Sequence, residues 1–289
     1  MDSKMSGGEA SGPILLTGAT GKVGRLLRGV WPTVSGAPAL VPVARRPGAG
    51  VVWEPGAPTD GLPRAAVVAA FWGVVPGPGR DLSRNAELAG AAMALGRAVG
   101  ARLVIHCSTS AVYAPGPETL TEEDTPAPPG PYGAAKLEME AAVARHVAAD
   151  PQGPRAVCLR IGNVAGAESL FDAMTRAHEV TLDRFADGAG PERNYIAPSD
   201  LARVVVALAA ADPARLPAIL NVGAPRTTAM EAIARAAGRP VLWRVAPEGA
   251  ARRVALDVSR MLAICPLDDR AADPAHLVSD WRAALAAAA

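Results

Sequence analysis

The sequence predicts an α/β fold: a doubly wound parallel sheet carrying helices on both faces. Three observations lead there. Short apolar runs alternate with longer helical patterns over the first two-thirds of the chain, the order that βαβ units impose. The strand candidates are apolar throughout rather than alternating, which marks strands buried on both sides. A glycine-punctuated turn follows the first of them and opens a helix, the arrangement of a dinucleotide-binding unit. Right-handed crossovers then set the hand of the sheet.

Taken in order, Pro13–Thr17 is the first strand candidate, followed by the glycine turn and a helix through Leu26 and Leu27. Leu40–Ala44, Val51–Trp53, Ala66–Ala70, Leu103–Cys107 and Ala156–Ile161 are further strands, with helices over Asn85–Val99 and Tyr132–Ala148. Pro42 interrupts the second strand, where a central position would forfeit a ladder hydrogen bond; a short strand or a bulge accommodates it. Pro126–Pro131 reads as a rigid loop. Residues 1–12 are polar and are expected to form a mobile tail, with no secretion signal.

The 289 residues allow two domains, or one α/β domain with a modest appendage. Half the chain is hydrophobic, so a large core is available, but aromatic residues are only 4% and Ala, Val and Leu must fill it. Lys and Arg total 29 against 28 Asp and Glu. That balance gives no drive toward nucleic-acid phosphates or an anionic membrane, and neither is an expected partner. No stretch reaches the roughly 18 apolar residues of a spanning helix. Cys107, Cys158 and Cys265 are odd in number and widely spaced, as expected of reduced thiols in a cytoplasmic protein, and no Cys/His cluster suggests a metal.

Gly18, Gly21 and Gly24 recur at three-residue spacing within Thr17–Gly24. Such glycines permit a tight turn, let the backbone approach a pyrophosphate, and let the helix pack close to the strand. The helix N-terminus adds free N–H groups and a favourable dipole. Gly18, Thr20, Gly21, Lys22, Val23 and Gly24 are therefore the candidate phosphate-binding residues; the alternative is a glycine-rich loop without a ligand. An NAD-selective site places Asp or Glu after the second strand. This chain reads Val43-Ala44-Arg45-Arg46. Guanidinium groups suit a 2′-phosphate, so NADP is favoured with NAD as the alternative, unless Arg45 and Arg46 are merely solvated.

Tyr132 and Lys136 lie four apart on one helix face. A lysine cation there is expected to lower the tyrosine pKa, so that the phenol can exchange a proton, and Lys136 can also reach a cofactor ribose. Such pairs are common on solvated helices; the preceding strand, ending in the hydroxyl cluster Ser108-Thr109-Ser110, strengthens the catalytic reading, because open α/β sheets bind ligands at the carboxyl ends of their strands. His106, inside that strand, is expected to pack in the core.

TGATGKVG, STSAVY, YGAAK, LRIGNVAG and RNYIAPSDLA occur in this order between about Ile14 and Leu208, and together they resemble extended short-chain dehydrogenases/reductases, the NAD-dependent epimerase/dehydratase family. Weaker echoes follow at Asn221-Val222-Gly223 and Asp257-Val258-Ser259. The resemblance implies a Rossmann domain with a small interleaved carboxy-terminal substrate region: 13–164 as the dinucleotide domain, 165–289 mainly for substrate, with 194–222 returning to the Rossmann core. It makes Tyr132 the general acid/base, Lys136 its partner, and Thr109, four before Tyr113, the hydroxyl that polarises the substrate, with Ser108 beside it. Arg160 and Asn163 fall in the stretch leading to the substrate pocket, and Arg193 matches an arginine that contacts the substrate diphosphate. A sugar or nucleotide sugar is the implied substrate, and homodimers paired through the two long helices the implied assembly; the other use of those helices is to cover the sheet.

The departures carry expectations of their own. Sugar-nucleotide 4,6-dehydratases follow the catalytic threonine with Asp-Glu, whereas this chain has Ser110-Ala111, so 4,6-dehydration is not expected. A family histidine is replaced by Ala197, and no clear late Arg-Pro-Gly-Asp segment is present. Two activities remain, a reductase or dehydrogenase and an epimerase. A non-catalytic NADP-binding sensor on the same fold is the alternative of another class.

Overall fold

The computed structural model describes residues 12–288; all of the expected tail except Gly12 lies outside them. The chain begins with β1 (Ile14–Thr17), α1 (Lys22–Val30), β2 (Leu40–Ala44), β3 (Val51–Val52), β4 (Val67–Ala70), α2 (Arg84–Val99) and β5 (Leu103–Thr109). There follow β6 (Thr119–Leu120), α3 (Pro131–Ala149), β7 (Arg155–Ile161), β8 (Asn163–Val164), α4 (Ser169–Arg176), β9 (Val180–Arg184), β10 (Glu192–Arg193), β11 (Tyr195–Ile196) and α5 (Pro198–Ala210). The last part contains β12 (Ile219–Val222), β13 (Thr228–Ala229), α6 (Met230–Ala236), β14 (Val241–Val245), β15 (Arg253–Leu256), α7 (Ser259–Ile264) and α8 (Pro274–Ala288).

Seven strands form one parallel sheet in the order β12-β7-β5-β4-β1-β2-β3. Its central strands are buried on both faces, as their unbroken apolar character requires. Ile14 and Leu16 pack with Leu26 and Leu27 of α1 and with Leu277 and Ala284 of α8. Leu15, Val43 and Val68 face the other way, toward Ala92, Met93 and Leu95 of α2. The result is the doubly wound Rossmann arrangement expected from the sequence. Its crossovers reverse direction between β1 and β4, and the crevice at that switch point is where such sheets hold their ligands.

Pro42 fits without a bulge. The Ile14 N–H donates to the Ala39 carbonyl (2.9 Å), which turns the amides of Val41 and Val43 toward β1 and leaves the Pro42 nitrogen on the outer side. There β3 pairs only with Val43 and Ala44, so no ladder bond is lost.

The small region is assembled from distant segments. One four-stranded sheet has the order β13-β10-β15-β6, and β9 pairs with β14 and β8 with β11. β6 comes from the loop between β5 and α3, so the small region is threaded through the chain. Helix α8, in the span assigned mainly to substrate, packs on α1 so closely that a Cβ on Gly29 would collide with the Ala284 carbonyl. The three cysteines are free. Among the described residues no helix is long and apolar enough to cross a membrane, and no cluster of three metal-ligating side chains occurs.

Candidate active site

The phosphate turn joins β1 to α1. Gly18 has φ +74°, and a Cβ on it would lie 2.5–2.6 Å from backbone atoms of Phe71 and Trp72. A Cβ on Gly24 would collide with the Gly18 carbonyl. These two glycines thus set the backbone of the turn and its closeness to α1, while Gly21 caps the helix with its N–H on the Gly18 carbonyl (2.9 Å). No side chain caps α1 and no acid lies in its first turn, so the donor set and dipole at Lys22–Gly24 suit an anion. The Arg25 guanidinium holds the Thr20 carbonyl (3.0 Å). Lys22 is ion-paired with Asp172 of α4, which ties the turn to the substrate region. Arg45 and Arg46 are exposed just beyond β2.

Two residues past β4, the chain passes from the phosphate turn to the Tyr132–Lys136 helix. The Trp72 nitrogen lies against Gly18, and a Cβ on the next residue, Gly73, would be 3.2 Å from Lys136 Nζ. Lys136 is buried, and its Nζ donates to the Cys107 carbonyl (2.8 Å) near the end of β5. Gly133 lets α3 dock on the short turn after β5, since a Cβ there would collide with the Ala111 carbonyl. Thr109, half-buried, starts that turn, and its Oγ1 accepts from the Ala111 N–H (3.2 Å). Tyr132, Lys136, Thr109 and the phosphate turn therefore converge on one edge of the sheet.

Burial, with a smaller contribution from the Cys107 thiol, pushes the Tyr132 phenol above its ordinary value. Burial lowers Lys136, opposed by Cys107, Cys158 and Glu140. The expected lowering of Tyr132 by Lys136 is therefore corrected: the ammonium is spent on a backbone carbonyl, and desolvation dominates the phenol. His106 is a core residue, as expected. It is 2% exposed with Nε2 3.4 Å from Met93 Sδ, and burial, reinforced by the Lys136 charge, lowers its pKa to about 3.

Ser108 is corrected too. Grouped with Thr109 in sequence, it points to the opposite face of the strand, because neighbours in a strand alternate, and its Oγ donates to Glu140 Oε1 (2.5 Å). Glu140 in turn receives Arg160 Nη2 (2.7 Å) and Nε (3.2 Å), and Arg160 Nη1 donates to the Tyr113 hydroxyl (2.9 Å), which donates to Asn221 Oδ1 (2.8 Å). Burial alone would depress the Arg160 guanidinium, but its bonds to Glu140 and Tyr113 outweigh that and hold it high. Arg160 is thus a buried tie between β7 and α3 and does not line an open substrate pocket. Glu140, one turn beyond Lys136 on the same helix face, escapes the sequence reading although its i+4 spacing marks it.

Asn163 is half-buried in β8, its N–H bonded to the Asn194 carbonyl (2.8 Å). Arg193 is held by backbone: Nη1 donates to the Glu192 carbonyl (2.7 Å) and Nη2 to the Ala251 carbonyl (2.8 Å). Burial lowers its pKa. Ala197 is fully buried at the start of α5. A cavity of about 580 Å³ beside Asp200, Arg203 and His276, and another of about 600 Å³ beside Arg184, Phe185 and Trp243, are not lined by Tyr132 or the phosphate turn. The convergence of reactive side chains therefore outweighs cavity size in locating the site.

Comparison with known proteins agrees with this geometry. The profile described as "NAD dependent epimerase/dehydratase family" matches residues 66–223, a span that holds Thr109, Tyr132 and Lys136 and omits the phosphate turn. No curated protein matches. Among solved structures, the fold is similar to UDP-N-acetylglucosamine 4-epimerase from Methanobrevibacter ruminantium M1, in complex with UDP-N-acetylmuramic acid (16% identity, TM-score 0.74, covering 96% of this chain and 99% of that one). It is also similar to UDP-glucuronic acid 4-epimerase from Bacillus cereus, bound to UDP-glucuronic acid and NAD (18%, 0.73, 95% and 99%). A third is TunA, an NAD-dependent NDP-hexosamine 5,6-dehydratase involved in tunicamycin biosynthesis (19%, 0.71, 96% and 98%). With a dehydratase among these neighbours, Ser110-Ala111 does not by itself set elimination chemistry aside. The profile spans more than half of the chain, and the protein belongs to the NAD-dependent epimerase/dehydratase family.

Proposed function

We propose that this protein transfers hydride between a nicotinamide cofactor and a hydroxyl- or carbonyl-bearing carbon of a sugar or nucleotide sugar, either once, as a reductase or dehydrogenase, or twice, as an epimerase. One observation carries the reading. The Phe71–Gly73 segment touches the phosphate turn at Gly18 and Lys136 of the catalytic helix at Gly73, so a dinucleotide anchored at Gly18–Gly24 would run toward Tyr132. Thr20, Lys22 and Val23 belong to the same turn. NADP is the cofactor proposed, because Arg45 and Arg46 stand where NAD-selective sites carry an acid; the fold neighbours named above were solved with, or depend on, NAD.

The cofactor, when bound, supplies or takes the hydride. Thr109 orients the reacting oxygen and Tyr132 moves its proton. With its pKa raised by burial, Tyr132 is protonated at neutral pH, the form that donates to a carbonyl oxygen gaining negative charge. Lys136 holds α3 to β5 through Cys107 and presents its charge beside the segment that leads from the phosphate turn. Asn163 and Arg193 are proposed on the substrate side, with Arg193 acting through the Nε that its backbone bonds leave open. Pairing of two chains through α2 and α3 is part of the same proposal, and light scattering at micromolar concentration would read two-chain mass.

The test is a titration with NADPH and NADH, followed by turnover on aldoses, uronic acids and nucleotide sugars. A reductase consumes NADPH stoichiometrically; an epimerase interconverts sugars with no net change. Tyr132→Phe should bind dinucleotide normally and lose turnover by at least about a hundredfold. Unchanged turnover in that variant refutes the acid/base role. Dinucleotide binding without turnover on any of these substrates would favour a sensor.

A further inference from the structure

The tryptophans beside the phosphate turn have no task in the chemistry above. Trp53 leaves β3 with its N–H on the carbonyl of Ala44 (2.9 Å), the last residue of β2 and the one before Arg45. Trp72 follows β4, with its backbone nitrogen against Gly18. The two indoles stack, with centroids 6.0 Å apart and planes inclined by 24°. Together they bridge the end of β2 and the phosphate turn. In a doubly wound sheet this is the adenosine side of the crevice, since the ribose-binding position lies at the end of β2 and the pyrophosphate lies at the turn.

The pair is built as a platform. Trp53 is 6% exposed, and its Nε1 donates to the Ala57 carbonyl (3.1 Å), so its ring is fixed and its polar atom satisfied. Trp72 is only half-buried, although Trp53 covers one of its faces. A flat, pre-positioned indole between two exposed arginines and a phosphate turn matches a purine flanked by phosphates, because every base offers a π-face to an aromatic ring. We propose that Trp72, backed by Trp53, is the surface on which the adenine ring of the dinucleotide stacks. This rests on the dinucleotide-binding reading above, and it assigns the grip on the adenosine half to an aromatic face.

The experiment follows tryptophan fluorescence and calorimetry with 2′,5′-ADP, ADP-ribose and nicotinamide mononucleotide. In the wild type the two adenine-containing ligands should quench emission and the mononucleotide should not. Trp72→Ala should weaken 2′,5′-ADP by about tenfold, and Trp72→Phe, which keeps a ring, should restore most of that affinity. Circular dichroism and the thermal midpoint of each variant establish that it is folded. Wild-type affinity in folded Trp72→Ala overturns the platform while leaving the dinucleotide reading intact. Tighter binding there also overturns it, since Trp72 would then occupy the place of the base. A wild-type protein that binds none of these ligands or NADPH overturns the dinucleotide reading, and the platform with it.

Discussion

Replacing Arg160 by methionine should cost about 3–5 kcal/mol, the range for stripping one partner from a buried ion pair. Both side chains of the Arg160–Glu140 pair are only 5% exposed, so water cannot take over for the missing group. Methionine keeps most of the apolar stem, which limits the cavity contribution. What remains is a buried Glu140 carboxylate with the Ser108 hydroxyl as its remaining side-chain donor, and a Tyr113 ring deprived of the guanidinium stacked 4.8 Å from its centre. The loss is a large part of the roughly 5–15 kcal/mol available to a folded chain. In urea it corresponds to a midpoint lower by on the order of 1–2 M, taking a slope of about 3 kcal/mol/M. The double variant Arg160→Met/Glu140→Met removes the stranded charge and should recover all but about 1 kcal/mol, with a coupling of at least about 2 kcal/mol in the thermodynamic cycle. A single variant within about 1 kcal/mol of wild type, or a double variant as unstable as the sum of the singles, would refute the reasoning.

Acid should act through His106. Its pKa in the fold is about 3 against an ordinary 6.5, so the unfolded chain takes the proton first and stability falls as pH drops from 6.5 toward 3, by roughly 3 kcal/mol at pH 4. Urea midpoints measured across this range should flatten in His106→Leu; an identical slope in both proteins counts against the assignment. Gly18→Ala meets both a positive φ and backbone at 2.5 Å and should cost more than about 2 kcal/mol. The control is Gly36→Ala, at φ +71° with nothing within 4 Å, which should cost about 1 kcal/mol in the same thermal melts. Replacing Arg45 and Arg46 together by alanine should weaken NADPH at least about tenfold and leave NADH unchanged; equal weakening of both would return the arginines to the solvated surface.

The central sheet was legible because its strands carry their own signature: Val67–Ala70 or Leu103–Ile105 is apolar at every position, and only burial on both faces explains that. The phosphate turn was legible for a similar reason, since Gly18 and Gly24 are demanded by local backbone and close approach. Partnership across the fold was not. Ser108 and Thr109 are adjacent hydroxyls in sequence, yet strand alternation sends one to Glu140 and leaves the other at the sheet edge. The Arg160–Glu140 tie depends on β7 and α3 meeting, which no local pattern announces. Two-residue strands such as Thr119–Leu120 and Glu192–Arg193 owe their extension to distant partners, and so leave no periodicity to read. The Tyr132 pKa went the other way because a spacing of four residues states proximity and says nothing of the carbonyl that claims the lysine.

The threading of the small region has a consequence for how such a protein can change. Its four-stranded sheet takes one strand each from 119–120, 192–193, 228–229 and 253–256. A transplant of everything after Gly223 would carry two of them and orphan the other two, together with the carbonyls of Ala251 and Arg252 that anchor Arg193. New specificity therefore cannot arrive as a cassette and must accumulate by substitution in place. During synthesis the same sheet cannot close until residue 256 has emerged, long after the strands of the nucleotide half have been made. That half must keep its edge soluble while it waits, and the contacts that complete the small region are the long-range ones that slow folding most.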